Sequence, residues 1–86
     1  MTRFSKRPAA VLDYEYGWVA WLGDDTIVNH EIIAQSGITV DNSSENAGVV
    51  TVWLSGGELN RQYVVTCRIT TAGGRVDELM AVVSVH

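Results

Sequence analysis

Cysteine is nearly absent from this sequence. Cys67 stands alone, so no disulfide can close within the chain. The fold must hold by packing or by association with other chains, and a reducing place of synthesis such as bacterial cytoplasm is consistent with that. Proline is equally scarce, with Pro8 the only one. No apolar run approaches the roughly 20 residues that a membrane helix needs. The first residues are basic but lack the apolar centre of a signal peptide, so a soluble protein not exported by that route is expected. Lysine and arginine together number 6 against 10 acidic residues, a net charge of −4. That balance argues against a membrane surface or a specific nucleic acid as partner.

Chemistry-bearing patterns are missing too. Two histidines and one cysteine without ligand spacing do not make a metal site. The glycine pairs lack the helix and lysine of a phosphate loop. Ser55-Gly56-Gly57 is not a nucleophile elbow, which needs Gly-x-Ser-x-Gly at a strand-to-helix turn. Asp24-Asp25 and Asp77-Glu78 pair carboxylates, but a turn and a strand edge account for them. His30 and Glu31 are adjacent and on a strand point to opposite faces. No catalytic residue, cofactor or metal is expected, and the chain reads as a non-enzyme.

What is present is a β pattern. The chain has 86 residues, 47% of them apolar. That suits one globular domain, which buries a little over ~60% of its unfolded surface. From Val49 onward apolar and polar residues alternate with a period of two. Gly56-Gly57 and Gly73-Gly74 punctuate the runs. Val50, Val52 and Leu54 share one face, as do Tyr63, Val65, Cys67 and Ile69, and then Leu79, Ala81, Val83 and Val85. Thr71 to Gly74 has the length and composition of a hairpin loop.

Upstream, Ala10 to Leu12 reads as a short strand. Gly17 to Leu22 is apolar on both faces and reads as a covered strand. Thr26 to Ser36 is rich in β-branched residues and reads as a strand, with a bulge or bend near Asn29 to Glu31. Ile38 to Val40 is a short strand. Asp41 to Gly48 is the longest polar stretch and reads as a mobile loop. About seven short strands with frequent turns predict a single immunoglobulin-like or fibronectin-like antiparallel β-sandwich. Tyr63, near the start of the penultimate strand, suits a tyrosine corner, with its ring buried and its hydroxyl bonded to an earlier backbone group. It lies four residues before Cys67, and the lone cysteine excludes the antibody disulfide. Cys67, between inward-facing neighbours, reads as a small core hydrophobe.

Residues 1–8 read as a basic extended arm and residues 9–86 as the sandwich. Arg3, Lys6 and Arg7 are half of all basic residues, while every acidic residue lies from Asp13 onward. Such an arm is disordered alone, or orders on an acidic neighbour with Phe4 as its apolar anchor. Trp18, Trp21 and Trp53 do not all fit one small core, so at least one is expected at the surface as an anchor of protein contact. Arg3, Phe4, Lys6, Arg7, Trp18, Trp21 and Trp53 are therefore the candidate partner-binding residues.

The segments LDYEYGWVAWLGDDTI, TVWLSGG and YVVTCRITTAGGRVDE span most of the chain. Together they resemble the small bacteriophage virion proteins known as fiber-tail adaptors. The Trp-Leu-Ser-Gly-Gly block at Trp53 to Gly57 and the block from Ile69 to Glu78 carry the resemblance most specifically. Gly17 departs from it where an acidic residue is expected, and Leu59-Asn60-Arg61 replaces a glycine-containing turn. The resemblance implies a non-enzymatic virion structural protein assembled in the host cytoplasm. It would link the tail or head–tail connector to tail fibers, in many copies, through contacts with other virion proteins. A capsid decoration or cement protein is an alternative. So is a glycan- or receptor-binding module that uses an exposed tryptophan and the Asp41 to Asn46 segment.

Overall fold

The computed structural model describes residues 2–86. Seven strands form two facing sheets: β1 (Thr2–Lys6), β2 (Leu12–Gly17), β3 (Ile27–Ala34), β4 (Ile38–Asn46), β5 (Val49–Gly56), β6 (Arg61–Thr71) and β7 (Val76–Val85). One sheet runs β1-β7-β6-β3 and the other β2-β5-β4. Every pairing is antiparallel except β1 with β7. This is an immunoglobulin-like sandwich in which the first strand sits beside the last. The body measures 41 × 20 × 19 Å.

The alternation in the sequence sets which side chains meet between the sheets. Val50, Val52 and Leu54 of one sheet face Val65, Cys67, Ile69, Ala81, Val83 and Val85 of the other, all fully or almost fully buried. Tyr16 and Tyr63 join this core, each with its hydroxyl satisfied. Tyr16 donates to the Val65 carbonyl at 2.6 Å, and burial pushes its hydroxyl well above the usual tyrosine range. The Tyr63 hydroxyl accepts the Glu58 backbone N–H at 2.9 Å, which is the tyrosine corner the sequence suggests. Gly37 and Gly57 flank the Tyr63 ring at positive φ. A Cβ on Gly37 would lie 2.6 Å from the ring, and one on Gly57 would lie 2.8 Å from Val85. Both conformation and space therefore demand glycine there.

The short strand expected at Ala10 to Leu12 instead begins at Leu12 and runs to Gly17 as β2. Three further expectations need correction. Gly17 to Leu22 is not a covered strand. After β2 the chain makes one helical turn, α1 (Val19–Leu22), closed by the Leu22 N–H on the Trp18 carbonyl at 2.9 Å. Trp18 drops into the core and is 1% exposed, and this burial overrides the strand preference of its neighbours. Asp41 to Asn46 is not a loop but most of the edge strand β4, joined to β5 through Ala47 and Gly48, both at positive φ as a two-residue hairpin turn requires. Its inward polar residues find partners at the rim: Ser43 meets His30 Nε2 at 3.2 Å, and Glu45 accepts the Gly48 N–H at 3.0 Å.

The last correction concerns the N-terminus. From Thr2 to Lys6 the expected free arm is a paired strand that lies along Ala81–Val85. Its pattern is that of a sheet strand: Phe4 and Lys6 turn inward while Arg3 and Ser5 are exposed. Met1, the first residue of the expected arm, lies outside the described residues. β3 is the expected strand, but its bulge falls between Ile27 and Asn29, ahead of the expected Asn29 to Glu31 stretch.

Candidate partner-binding surface

The seven candidate residues do not converge on one patch. Phe4, Lys6 and Trp18 are directed into the domain, and Arg3, Arg7, Trp21 and Trp53 reach the surface at separate places. Phe4 stacks on Tyr14 with ring centroids 4.4 Å apart and meets the edge of Tyr16 at 5.7 Å. Tyr14 in turn donates its hydroxyl to the Ser5 carbonyl at 2.8 Å. These contacts tie β1 to β2 across the two sheets.

Trp18 lies edge-on to Trp21, with centroids 5.3 Å apart. Its indole N–H has no partner at hydrogen-bonding distance among the described residues. The nearby Cys67 sulfur is a weak electrostatic partner. Burial pushes the Cys67 thiol up, and the Trp18 indole pulls it partly back.

One end of the molecule gathers α1, the β4–β5 turn and the β6–β7 hairpin around Trp21. The Arg75 guanidinium sits 4.1 Å from the Trp21 ring centre. It donates to the Trp21 and Leu22 carbonyls at 3.3 and 2.9 Å and to Asp25 at 3.1 Å. Arg75 therefore satisfies carbonyls left open at the end of a short helix while covering an aromatic face. Asp25 also accepts the Thr26 and Gly73 backbone N–H groups at 2.9 and 3.0 Å. The Thr71 hydroxyl is the largest influence on its carboxyl. With those amides and Arg75 it outweighs the opposing push of burial and holds the pKa down at about 2. The result is a fixed pole with Trp21 as its exposed aromatic.

The opposite end is basic. Lys6 is 2% exposed, and its ammonium donates to the Arg7 carbonyl at 2.6 Å and the Pro8 carbonyl at 3.2 Å. It lines an open cavity with Ser5, Arg7, Ala10, Leu12 and His86. Desolvation lowers the Lys6 pKa.

The outer face of the three-stranded sheet carries Trp53, 40% exposed, directly between Asp13 of β2 and Asn42 of β4. No cluster of three or more metal-ligating side chains occurs among the described residues. No helix among them is long and apolar enough to cross a membrane.

Sequence reasoning missed the Asp25–Arg75–Trp21 tie, because Arg75 lies 50 and 54 positions from Asp25 and Trp21 and each is unremarkable alone. It also missed that Lys6 is buried; the alternation of Phe4 and Lys6 was the available signal. None of the curated proteins compared with the chain matches it. A family model does match, over residues 6–84, and its description is "Podophage GP4 fiber-tail adaptor protein gp77". This sandwich, with aromatic and basic groups at its poles and on one sheet face, belongs across nearly its whole length to the Gp77 family of phage fiber-tail adaptor proteins.

Proposed function

We propose that this protein joins a bacteriophage tail, or the connector above it, to tail fibers by protein–protein contact alone, as one of many copies in a symmetric virion assembly. The family match over residues 6–84 supports this reading above all else. The geometry agrees with it. Contact groups sit at both ends of a body 41 Å long, so one copy can touch different neighbours at its two poles. Arg3, Arg7, Trp21 and Trp53 are the residues available for these contacts, and repetition in a ring multiplies weak individual affinities. Assembly in the host cytoplasm fits a core that needs no disulfide.

The test is reconstitution from purified components. The protein should bind isolated tails and, once bound, should be required for fiber attachment. Fibers that attach equally well to tails lacking it would refute the reading.

A second reading has one observation in its favour. Trp53 offers a flat ring flanked by the carboxylate of Asp13 and the amide of Asn42, an arrangement that suits a sugar ring and its hydroxyls. Glycan binding by the isolated domain that disappears in Trp53→Ala would favour this reading.

A further inference from the structure

We propose that the basic pole, where β1 leads into β2, receives a carboxylate side chain from an acidic segment of the protein against which this adaptor docks. That the donor is a protein rests on the adaptor reading above. The site itself rests on geometry.

The first observation is an imbalance of charge partners. Arg61, Arg68 and Arg75 each form an ion pair, with Glu58, with Glu31 and Glu78, and with Asp25. Among the described residues no carboxylate reaches ion-pairing distance of Arg3, Lys6 or Arg7. The chain has more acids than bases, so this is not a shortage of carboxylates but an uneven distribution of them.

The second observation is the state of Lys6. The residue as a whole is 2% exposed, and its partly buried ammonium meets only two neutral carbonyls, those of Arg7 and Pro8. An ammonium has three N–H donors, so one is left for a further acceptor. A partly desolvated ion without a counter-ion is unfavourable, and an anion supplied from outside relieves that cost.

The third is the shape and lining of the cavity. It measures about 400 Å³ and opens to solvent between Ser5, Lys6, Arg7, Ala10, Leu12 and His86. Leu12, 41% exposed, and Ala10 form an apolar wall for the methylene stem of a glutamate or aspartate. Arg7 is exposed at the rim, where its planar guanidinium can grip a carboxylate. The Ser5 hydroxyl and His86 Nε2 lie 3.4 Å apart and add polar contacts. A polyanion such as nucleic acid fits poorly, because the net charge of −4 repels it beyond this one pole.

The opposing role for Lys6 is purely internal. It would clamp its own turn, which the Ala10 N–H closes on the Arg7 carbonyl at 3.1 Å. The two roles separate under titration. The full chain, isotope-labelled, is titrated by NMR with a hexaglutamate peptide, with hexaglutamine, and with sodium phosphate at matched ionic strength.

Hexaglutamate should shift Ser5, Lys6, Arg7 and His86 and raise the Lys6 side-chain pKa. Hexaglutamine should do neither. Lys6→Met should weaken the peptide roughly 10- to 100-fold, the range for losing a hydrogen bond to a charged group. Arg7→Gln, on an exposed residue that leaves the fold intact, should weaken it about two- to fivefold. Absent or scattered shifts would overturn the proposal. So would equal shifts with phosphate, or peptide affinity unchanged in both variants.

Binding of purified tails and fibers by the same variants separates the two levels of the argument. Wild-type binding matched by Lys6→Met and Arg7→Gln removes this site but leaves the adaptor reading. Peptide binding at the pole without any tail or fiber binding removes the adaptor reading but leaves the site.

Discussion

Replacing Phe4 by alanine is the most informative change for the fold, because it asks whether the N-terminal segment is a strand or an arm. Phe4 is partly buried, stacks on Tyr14 and meets the Tyr16 edge. A fully buried Phe→Ala change costs about 3–5 kcal/mol, and aromatic pairing contributes roughly 0.5–1.5 kcal/mol within such totals. Partial burial reduces the figure to about 2–3 kcal/mol for Phe4→Ala. In a domain of this size that lowers Tm by roughly 10–20 °C. Urea unfolding should show a lower midpoint with an unchanged slope, since the same surface is exposed. Native-state hydrogen exchange should show protection of the β1 amides that bond to β7, and Phe4→Ala should remove that protection before the rest of the sheet opens. An unchanged midpoint together with unprotected amides from Thr2 to Lys6 would refute the reasoning, because the segment would then be an arm.

Other predictions follow from the core and the Trp21 pole. Tyr63→Phe should cost about 1 kcal/mol by leaving the Glu58 N–H without its acceptor, and Tyr63→Ala about 3–5 kcal/mol; urea denaturation distinguishes the two. Asp25 has its pKa lowered in the folded state to about 2, against roughly 3.9 when unfolded. Its stabilising effect is therefore complete above about pH 4 and is lost as pH falls toward 2. The Gly73 amide shift, read by NMR, should titrate near the lower value, and a midpoint near 4 would contradict the hydrogen bonds assigned to this carboxylate. Cys67 is buried and its thiol is pushed up, so a thiol reagent should modify it only after denaturation.

The strands with regular alternation were legible because a period of two reports directly on burial. Val50 to Leu54, Tyr63 to Ile69 and Ala81 to Val85 face inward as their patterns require. The elements misread were those whose partners are distant or whose inward positions are polar. β1 pairs with the last strand of the chain, and nothing local in Thr-Arg-Phe-Ser-Lys reports that neighbour. β4 places Ser43 and Glu45 on its inward face, where His30 and the Gly48 N–H satisfy them, so its polarity resembled a loop. In Gly17 to Leu22 the residues favour strand, but seating Trp18 in the core bends the chain into a helical turn.

The candidate surface was only partly legible. Composition indicated that three tryptophans exceed one small core. Only the fold shows that Trp18 is the one enclosed and that Trp21 and Trp53 lie at different places.

The most direct test of the central claim is the position of this chain in an intact phage particle, determined by electron cryo-microscopy. The adaptor account predicts a sandwich-shaped density 41 Å long between the tail and the fiber base, with β1 paired to β7 and the Lys6–Arg7 pole against an acidic side chain of its neighbour. Density for this chain in the capsid lattice, away from the fiber attachment site, would contradict it.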